Sequence, residues 1–430
     1  MRESLFFASY IDMTILTVST WLLFRYGKIS IYHPATTYLV FHLFAFTTRL
    51  LFLANGAAYF LSGQVKYFTE IESHEIVKAA LLADVGFIFM TTAWLSESNR
   101  KIVIVPPKSV LIMDENSVTL VLFITIPLGI WGIFSQLYIP GIGKAQLDFG
   151  AWSESSYVQN TQNLLILSYL LIIFKYGFQR YSLVIICICL FILAFQGQHR
   201  YRVLVPGLFL LFLYLHQQQK RWLSPRFIII ILIGILVFLP MKYVGKLIQR
   251  GASKEELIEF ASEYRESLGI GANADFSFLD MYASTITLID QHDRYYYGTT
   301  YLNLLLMPIP RPFWEGKPSL VQWISDVSTP ARNLKELGAI PTIYGEAYVN
   351  FGYLGIMFIP FLFAKYSARW YFSILHTHPQ SVNLYLYLYF AAIMVQVYRD
   401  GLNAIIIFLS AYNIPGFFVY IFSIIKQKRA

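Results

Sequence analysis

Polar and apolar positions in this chain do not alternate, and they are not confined to one helical stripe. Long apolar runs are separated by short polar clusters. The runs fall at roughly 4–24, 34–54, 77–96, 118–138, 161–175, 182–196, 203–215, 227–240, 347–364, 382–397 and 402–424. About 20 apolar residues in a helix cross a 30 Å hydrocarbon core. Only helices and closed barrels satisfy every backbone group there. The pattern predicts an all-α, polytopic transmembrane bundle of about eleven spans (ten to twelve) with one large, partly helical extracytoplasmic loop. Several runs are only 14–16 residues long, which suits a thinned membrane or helices that stop inside a protein-lined cavity. The expected organisation is 1–240 as N-terminal membrane helices, 241–346 as the large loop and 347–430 as C-terminal membrane helices, all in one integrated domain.

The loop has a pattern of its own. Ser253 and Glu256 form an S-x-x-E capping box, and Leu257, Phe260, Ala261, Tyr264 and Leu268 follow at helical spacing, with Gly269 as C-cap. A second amphipathic helix is expected at about 276–290. Leu279, Tyr282, Ala283 and Ile286 share one face, and Asp280, Ser284 and Thr287 the other. The stretch Pro308-Ile-Pro-Arg-Pro-Phe-Trp314 cannot be a helix interior.

Composition narrows the class. Hydrophobic residues make up 57% of the 430 positions and charged residues 13%, against about 25% charged in a soluble domain. This excludes a cytosolic enzyme, a nucleic-acid-binding domain and a secreted disulfide scaffold. The net charge of +8 reflects Lys and Arg at every second loop, through Arg25/Lys28, Arg100/Lys101/Lys108, Lys175/Arg180, Lys220/Arg221/Arg226, Lys365/Arg369 and Lys426/Lys428/Arg429. With an odd number of spans they share the cytoplasmic side. The C-terminus is then inside, the N-terminus outside and the long loop on the outer face. The first apolar run lacks a small-residue cleavage site and reads as a retained span. Cys187 and Cys189 face nearly opposite ways on one helix, and the eight histidines form no HExxH or paired cluster. No metal and no cofactor are expected.

The informative residues break the positive-inside pattern. His199, Arg200 and Arg202 lie in a short outer turn, Arg399 and Asp400 in the outer connection before the last span, and Arg49 near the outer end of the second span. Arg250, Arg265, Arg294, Arg311 and Arg332 lie in the long loop. Each can snorkel to headgroups or pair with a carboxylate. Together they can form a rim cavity for a pyrophosphate, which guanidinium grips bidentately. Phe313, Trp314, Trp323 and Tyr295–Tyr297 offer flat faces for carbohydrate, or pack the loop onto the membrane interface. Glu346, where the loop re-enters the membrane, can be a general base or a salt-bridge partner. Asp84 can line the same cavity or make a helix–helix hydrogen bond, the second being favoured, and His42 reads as a packed interhelical donor rather than a catalytic group.

The block Leu306-Met-Pro-Ile-Pro-Arg-Pro-Phe-Trp-Glu-Gly-Lys-Pro318, the block Gly345-Glu-Ala-Tyr-Val-Asn-Phe-Gly352 and Gly355 resemble the Wzy-type O-antigen polymerases of bacteria. The resemblance covers most of the chain in architecture, but in motif only about 306–355 and the basic turn around Arg200. It implies a multi-pass protein of the bacterial inner membrane acting on the periplasmic side as an inverting, metal-independent glycosyltransferase. Donor and acceptor would be undecaprenyl-pyrophosphate-linked glycans within membrane lipid, with a chain-length-regulating partner expected and no nucleic acid. In that scheme Glu346, Arg200 and Arg311 are catalytic, and Arg202, Arg399, Arg49, His199, Trp314 and Tyr348 bind substrate. Alternatives are an O-antigen ligase and a lipid-linked oligosaccharide flippase.

Overall fold

The computed structural model describes residues 2–56, 72–100, 111–136, 156–195, 201–229, 277–306 and 341–429, with a few short stretches between them. Helices dominate. Among the described residues the sheet content is a two-residue antiparallel ladder, Tyr138–Ile139 on Gly143–Lys144, and one isolated bridge between Ile112 and Ser381.

Among the described residues five helices are long and apolar enough to cross a membrane: Arg2–Tyr26, Pro34–Ala54, Ser73–Ser98, Glu115–Phe134 and Thr342–Ile374. A sharply bent pair near the C-terminus makes six. Four further apolar helices are shorter: Thr161–Tyr176, Arg180–Leu193, Tyr201–Gln217 and Val382–Ala392. The chain is therefore a helical protein of membrane type. Nearly every expected run is a helix, but fewer than eleven have spanning length. The run at 227–240 lies almost wholly outside the described residues. The run at 382–397 is broken at Ile393, and that at 402–424 around Tyr412 and Asn413.

Contacts divide the chain into two units that interleave along the sequence. The first comprises Met1–Ile102, Arg265–Phe372 and Met394–Ala404. It holds α1 (Arg2–Tyr26), α2 (Pro34–His42), a π-helical turn (Leu43–Thr47), α3 (Thr48–Ala54) and α4 (Ser73–Ser98). Its start has clear local causes. His33 caps α2, its Nδ1 accepting the Ala35 N–H at 3.0 Å, and Pro34 occupies the first turn, where its missing N–H costs nothing. Ala79, Ala80, Ala83 and Gly86 keep one side of α4 small and buried, which lets neighbouring backbones approach closely. A Cβ at Gly86 would collide with the Tyr344 ring.

The second unit comprises Val103–Tyr264, Ser373–Ile393 and Ile405–Ala430. It contains α5 (Glu115–Gln136), α6 (Ser156–Tyr176), α7 (Arg180–Phe195) and α8 (Tyr201–Gln217). The tightest approach is between α5 and α6. A side chain at Gly129 would strike the backbone nitrogen of Leu165, and one at Gly132 would lie 2.5 Å from the backbone nitrogen of Gln162. At one end of this unit Lys175 donates to the Met113 carbonyl (2.7 Å) and Gln380 Oε1 (3.1 Å). Lys426 binds Asp114, and this bond holds the Asp114 carboxyl below the ordinary carboxylate range.

The expected capping box in the long loop is formed. Ser253 N–H donates to Glu256 Oε2 (2.7 Å) and Glu256 N–H to Ser253 Oγ (3.2 Å). The helix expected after it lies mostly outside the described residues. The second loop helix is present as α9 (Phe278–His292) and is followed by α10 (Thr299–Leu305). Its polar face is not solvated: Asp280 and Ser284 are buried.

Candidate functional site

In the first unit α11 (Thr342–Ile374) carries the Gly345–Gly352 block, and each residue type in it has a structural cause. Gly345 packs on Pro341 and Tyr282. The buried Tyr348 donates to Asp290 Oδ1 (2.5 Å), whose Oδ2 accepts from Lys78 (2.6 Å). Asn350 receives the Gly298 N–H on Oδ1 (3.0 Å) and donates through Nδ2 to Thr300 Oγ1 (2.7 Å). The backbone N–H groups of Tyr296 and Tyr297 donate to the carbonyls of Val349 and Asn350, both at 3.0 Å. Gly352 sits at φ 58°, ψ −140°, joining two helical pieces, with the Tyr295 ring 3.2 Å from where a Cβ would stand. The block is thus the clamp that holds the 295–300 segment onto the first turns of α11.

Glu346 is 1% exposed. Its Oε2 accepts the Leu402 N–H at 2.5 Å, and Gly401 leaves no room for a side chain between. Its Oε1 has no hydrogen-bond partner. The turn against it follows α12 (Met394–Asp400), whose Arg399 donates to Asp400 Oδ1 at 2.7 Å. Arg399 is thus partly neutralised within its own turn while remaining partly exposed. Just before the clamped segment, Arg294 lies over the Tyr296 ring (5.5 Å) and 3.9 Å from Asp326, and is mostly exposed. The Tyr296 hydroxyl donates to Asp326 at 2.8 Å; burial, then this bond, raises its pKa. The Tyr301 hydroxyl is raised too, by burial and then by the Glu346 charge.

The other expected site residues separate. Arg49 is fully buried in α3 and bound to Asp280, through Nε at 2.9 Å and Nη2 at 2.5 Å. It points at a carboxylate of the same unit and not at an open rim. Arg202 begins α8 in the second unit, nearly buried beside Asn163, Tyr201, Tyr389 and Tyr412 around a small cavity. Trp314 is 38% exposed and Phe313 74%. His199, Arg200 and Arg311 lie outside the described residues. The guanidinium berth expected at Arg200, Arg202 and Arg311 therefore rests on sequence alone.

A constellation that the sequence reading took only in part lies deeper in the first unit. Asp12 of α1, His42 of α2 and Asp84 of α4 converge, all three buried. His42 Nε2 lies 2.8 Å from Asp12 Oδ1 and 3.7 Å from Asp84 Oδ1, and Nδ1 lies 3.0 Å from the Tyr38 hydroxyl. His42 is the interhelical partner expected of it, and Asp84 of α4 makes the expected helix–helix hydrogen bond, carboxyl to carboxyl, with Asp12 of α1. Asp12 was overlooked. A carboxylate inside an apolar run was the available signal.

These features define a helical membrane-type protein with two buried acidic centres in one unit, Glu346 and the Asp12–His42–Asp84 cluster. A scan against protein-family profiles, a search of curated proteins and a search of solved structures each returned no match.

Proposed function

We propose that the protein polymerises lipid-pyrophosphate-linked oligosaccharide repeat units at the outer face of the bacterial inner membrane. The carrying observation is the buried Glu346 with one unpartnered oxygen, set on the Arg399–Leu402 turn and one turn from the clamp that fixes the Arg294 segment. The covering turn carries Arg399 and the clamped segment follows Arg294, and sugar transfer from a pyrophosphate carrier requires a carboxylate able to accept a proton together with cations for the leaving group. The apolar helices supply the membrane setting, and the resemblance of the 306–318 and 345–352 blocks supplies the reaction class.

In this reading the acceptor hydroxyl attacks the anomeric carbon of the donor. The carbon–oxygen bond to the pyrophosphate breaks, the lipid pyrophosphate leaves, and Glu346 takes the hydroxyl proton. Arginines offset the charge on the leaving group; from the resemblance Arg200 and Arg311 are the catalytic ones, and Arg202 and Arg399 bind substrate. Glu346 is sealed by the Arg399–Leu402 turn, so that turn must open for an acceptor to reach it.

The test is purified protein incubated with lipid-linked repeat units. A product ladder supports polymerisation. A single transfer to lipid A core would instead mark a ligase, and a change of sidedness without bond formation a flippase. Glu346→Gln is expected to lower turnover by about 10²–10⁴-fold while donor binding persists. Collapse of donor affinity with intact turnover per bound donor removes Glu346 as the base.

A further inference from the structure

We propose that Asp12, His42 and Asp84 bind one divalent transition-metal cation between α1, α2 and α4, a structural site distinct from the Glu346 centre and independent of the polymerase reading. The proposal starts from hydrogen bookkeeping. The Tyr344 hydroxyl donates to the Met90 sulfur at 3.5 Å. Its hydrogen is then used, so in the short contact between the Tyr38 and Tyr344 hydroxyls Tyr38 is the donor. The Tyr38 oxygen is left to accept from His42 Nδ1–H at 3.0 Å. Nδ1 therefore carries a proton, and Nε2 faces two carboxyl groups, Asp12 Oδ1 at 2.8 Å and Asp84 Oδ1 at 3.7 Å.

Three side chains able to ligate a metal face one another in an apolar interior, which favours a positive centre between them. Asp84 makes the need explicit, because it is 2% exposed and faces the Asp12 carboxyl, a like charge unless a proton or a cation lies between them. The three donor atoms lie within 4.8 Å of one another. Metal–ligand bonds of about 2.0–2.2 Å place donors roughly 3–4 Å apart, so small side-chain shifts complete the site. A bound cation would displace the protons held there, and two carboxylates with an imidazole then carry two negative charges, which one divalent cation neutralises. A nitrogen and oxygen donor set suits zinc or manganese better than calcium. The Tyr38–Tyr344–Met90 chain is the outer support that fixes a metal-bound imidazole. Sequence spacing could not reveal this site, because each ligand comes from a different helix.

The experiment uses the full-length protein in detergent, stripped with chelator, desalted and titrated with Mn²⁺ or Zn²⁺. The expected result is about one equivalent bound, a higher unfolding temperature with Zn²⁺, and nitrogen coupling from His42 in the pulsed EPR spectrum of the Mn²⁺ form. Asp84→Asn should abolish uptake, and Tyr38→Phe should weaken it by about 10–100-fold. No saturable uptake by the wild-type protein, or a Mn²⁺ spectrum without nitrogen coupling, overturns the proposal and leaves an imidazolium–carboxylate pair. Undiminished uptake by a folded Asp84→Asn protein overturns it too. Should that variant fail to fold, the wild-type spectrum decides alone.

Discussion

Breaking the Arg49–Asp280 pair should unfold the first unit long before it touches catalysis. Both side chains are fully buried, and one carboxylate oxygen takes both Nε and Nη2 of the guanidinium. Replacing Asp280 by Leu leaves a guanidinium in a site without water, and replacing Arg49 by Met leaves a carboxylate there. Removing one partner of a buried pair costs about 3–5 kcal/mol, whereas replacing both by apolar groups is often neutral or better. At about 1.4 kcal/mol per tenfold, each single change lowers the folded-to-unfolded ratio by roughly two to three and a half orders of magnitude. The double variant should recover most of that. The assay is unfolding in detergent, followed by the monodisperse fraction on size exclusion, for wild type, both singles and the double. Contacting charges should give a coupling at or above the usual range of about 0.5–3 kcal/mol. Additive single effects would refute the reasoning. If Arg49→Met keeps full stability but loses donor binding, Arg49 belongs to the pyrophosphate berth, as the sequence first suggested.

Other expectations rest on different physics. Gly352→Ala places a side chain at φ 58°, ψ −140° and against the Tyr295 ring; it should cost about 1–3 kcal/mol and release the 295–298 segment, read as faster proteolysis there. Gly129→Leu should force α5 off α6, destabilising the second unit by at least the roughly 1–3 kcal/mol of an overpacked core, measured by detergent unfolding. Burial pushes the His33 imidazole from 6.5 down to about 3. Its contribution is complete above pH 6.5 and fades as pH falls toward 3, because only the unfolded chain takes up the proton in that window. The slope is at most about 1.4 kcal/mol per pH unit. His33→Asn keeps an N-cap acceptor without titrating, so its acid limb should be flatter; an unchanged limb would clear His33.

What the sequence determined by itself was the medium and the local structure. Uninterrupted apolar runs and sparse charge require backbone groups to be satisfied within helices, and most of the runs appear where expected. The Ser253–Glu256 cap formed because its two hydrogen bonds are local. Glu346 was legible as an odd carboxylate because a charge beside an apolar run is visible in one dimension. Tertiary structure decided which charges meet. Arg49 and Asp280 are 231 positions apart and each looked exposed alone, yet packing of α9 on α4 and the π-helical turn before α3 buried both. Asp12, His42 and Asp84 sit on three helices with no spacing between them that encodes a site. Whether a long apolar run stays one helix was settled in three dimensions at Ile393, which no proline or glycine marks, whereas the break near Tyr412 precedes Pro415 and Gly416 and was legible in the sequence. Helix formation depends on neighbours a few residues away, whereas pairing of buried charges depends on neighbours that only the folded chain brings within 4 Å.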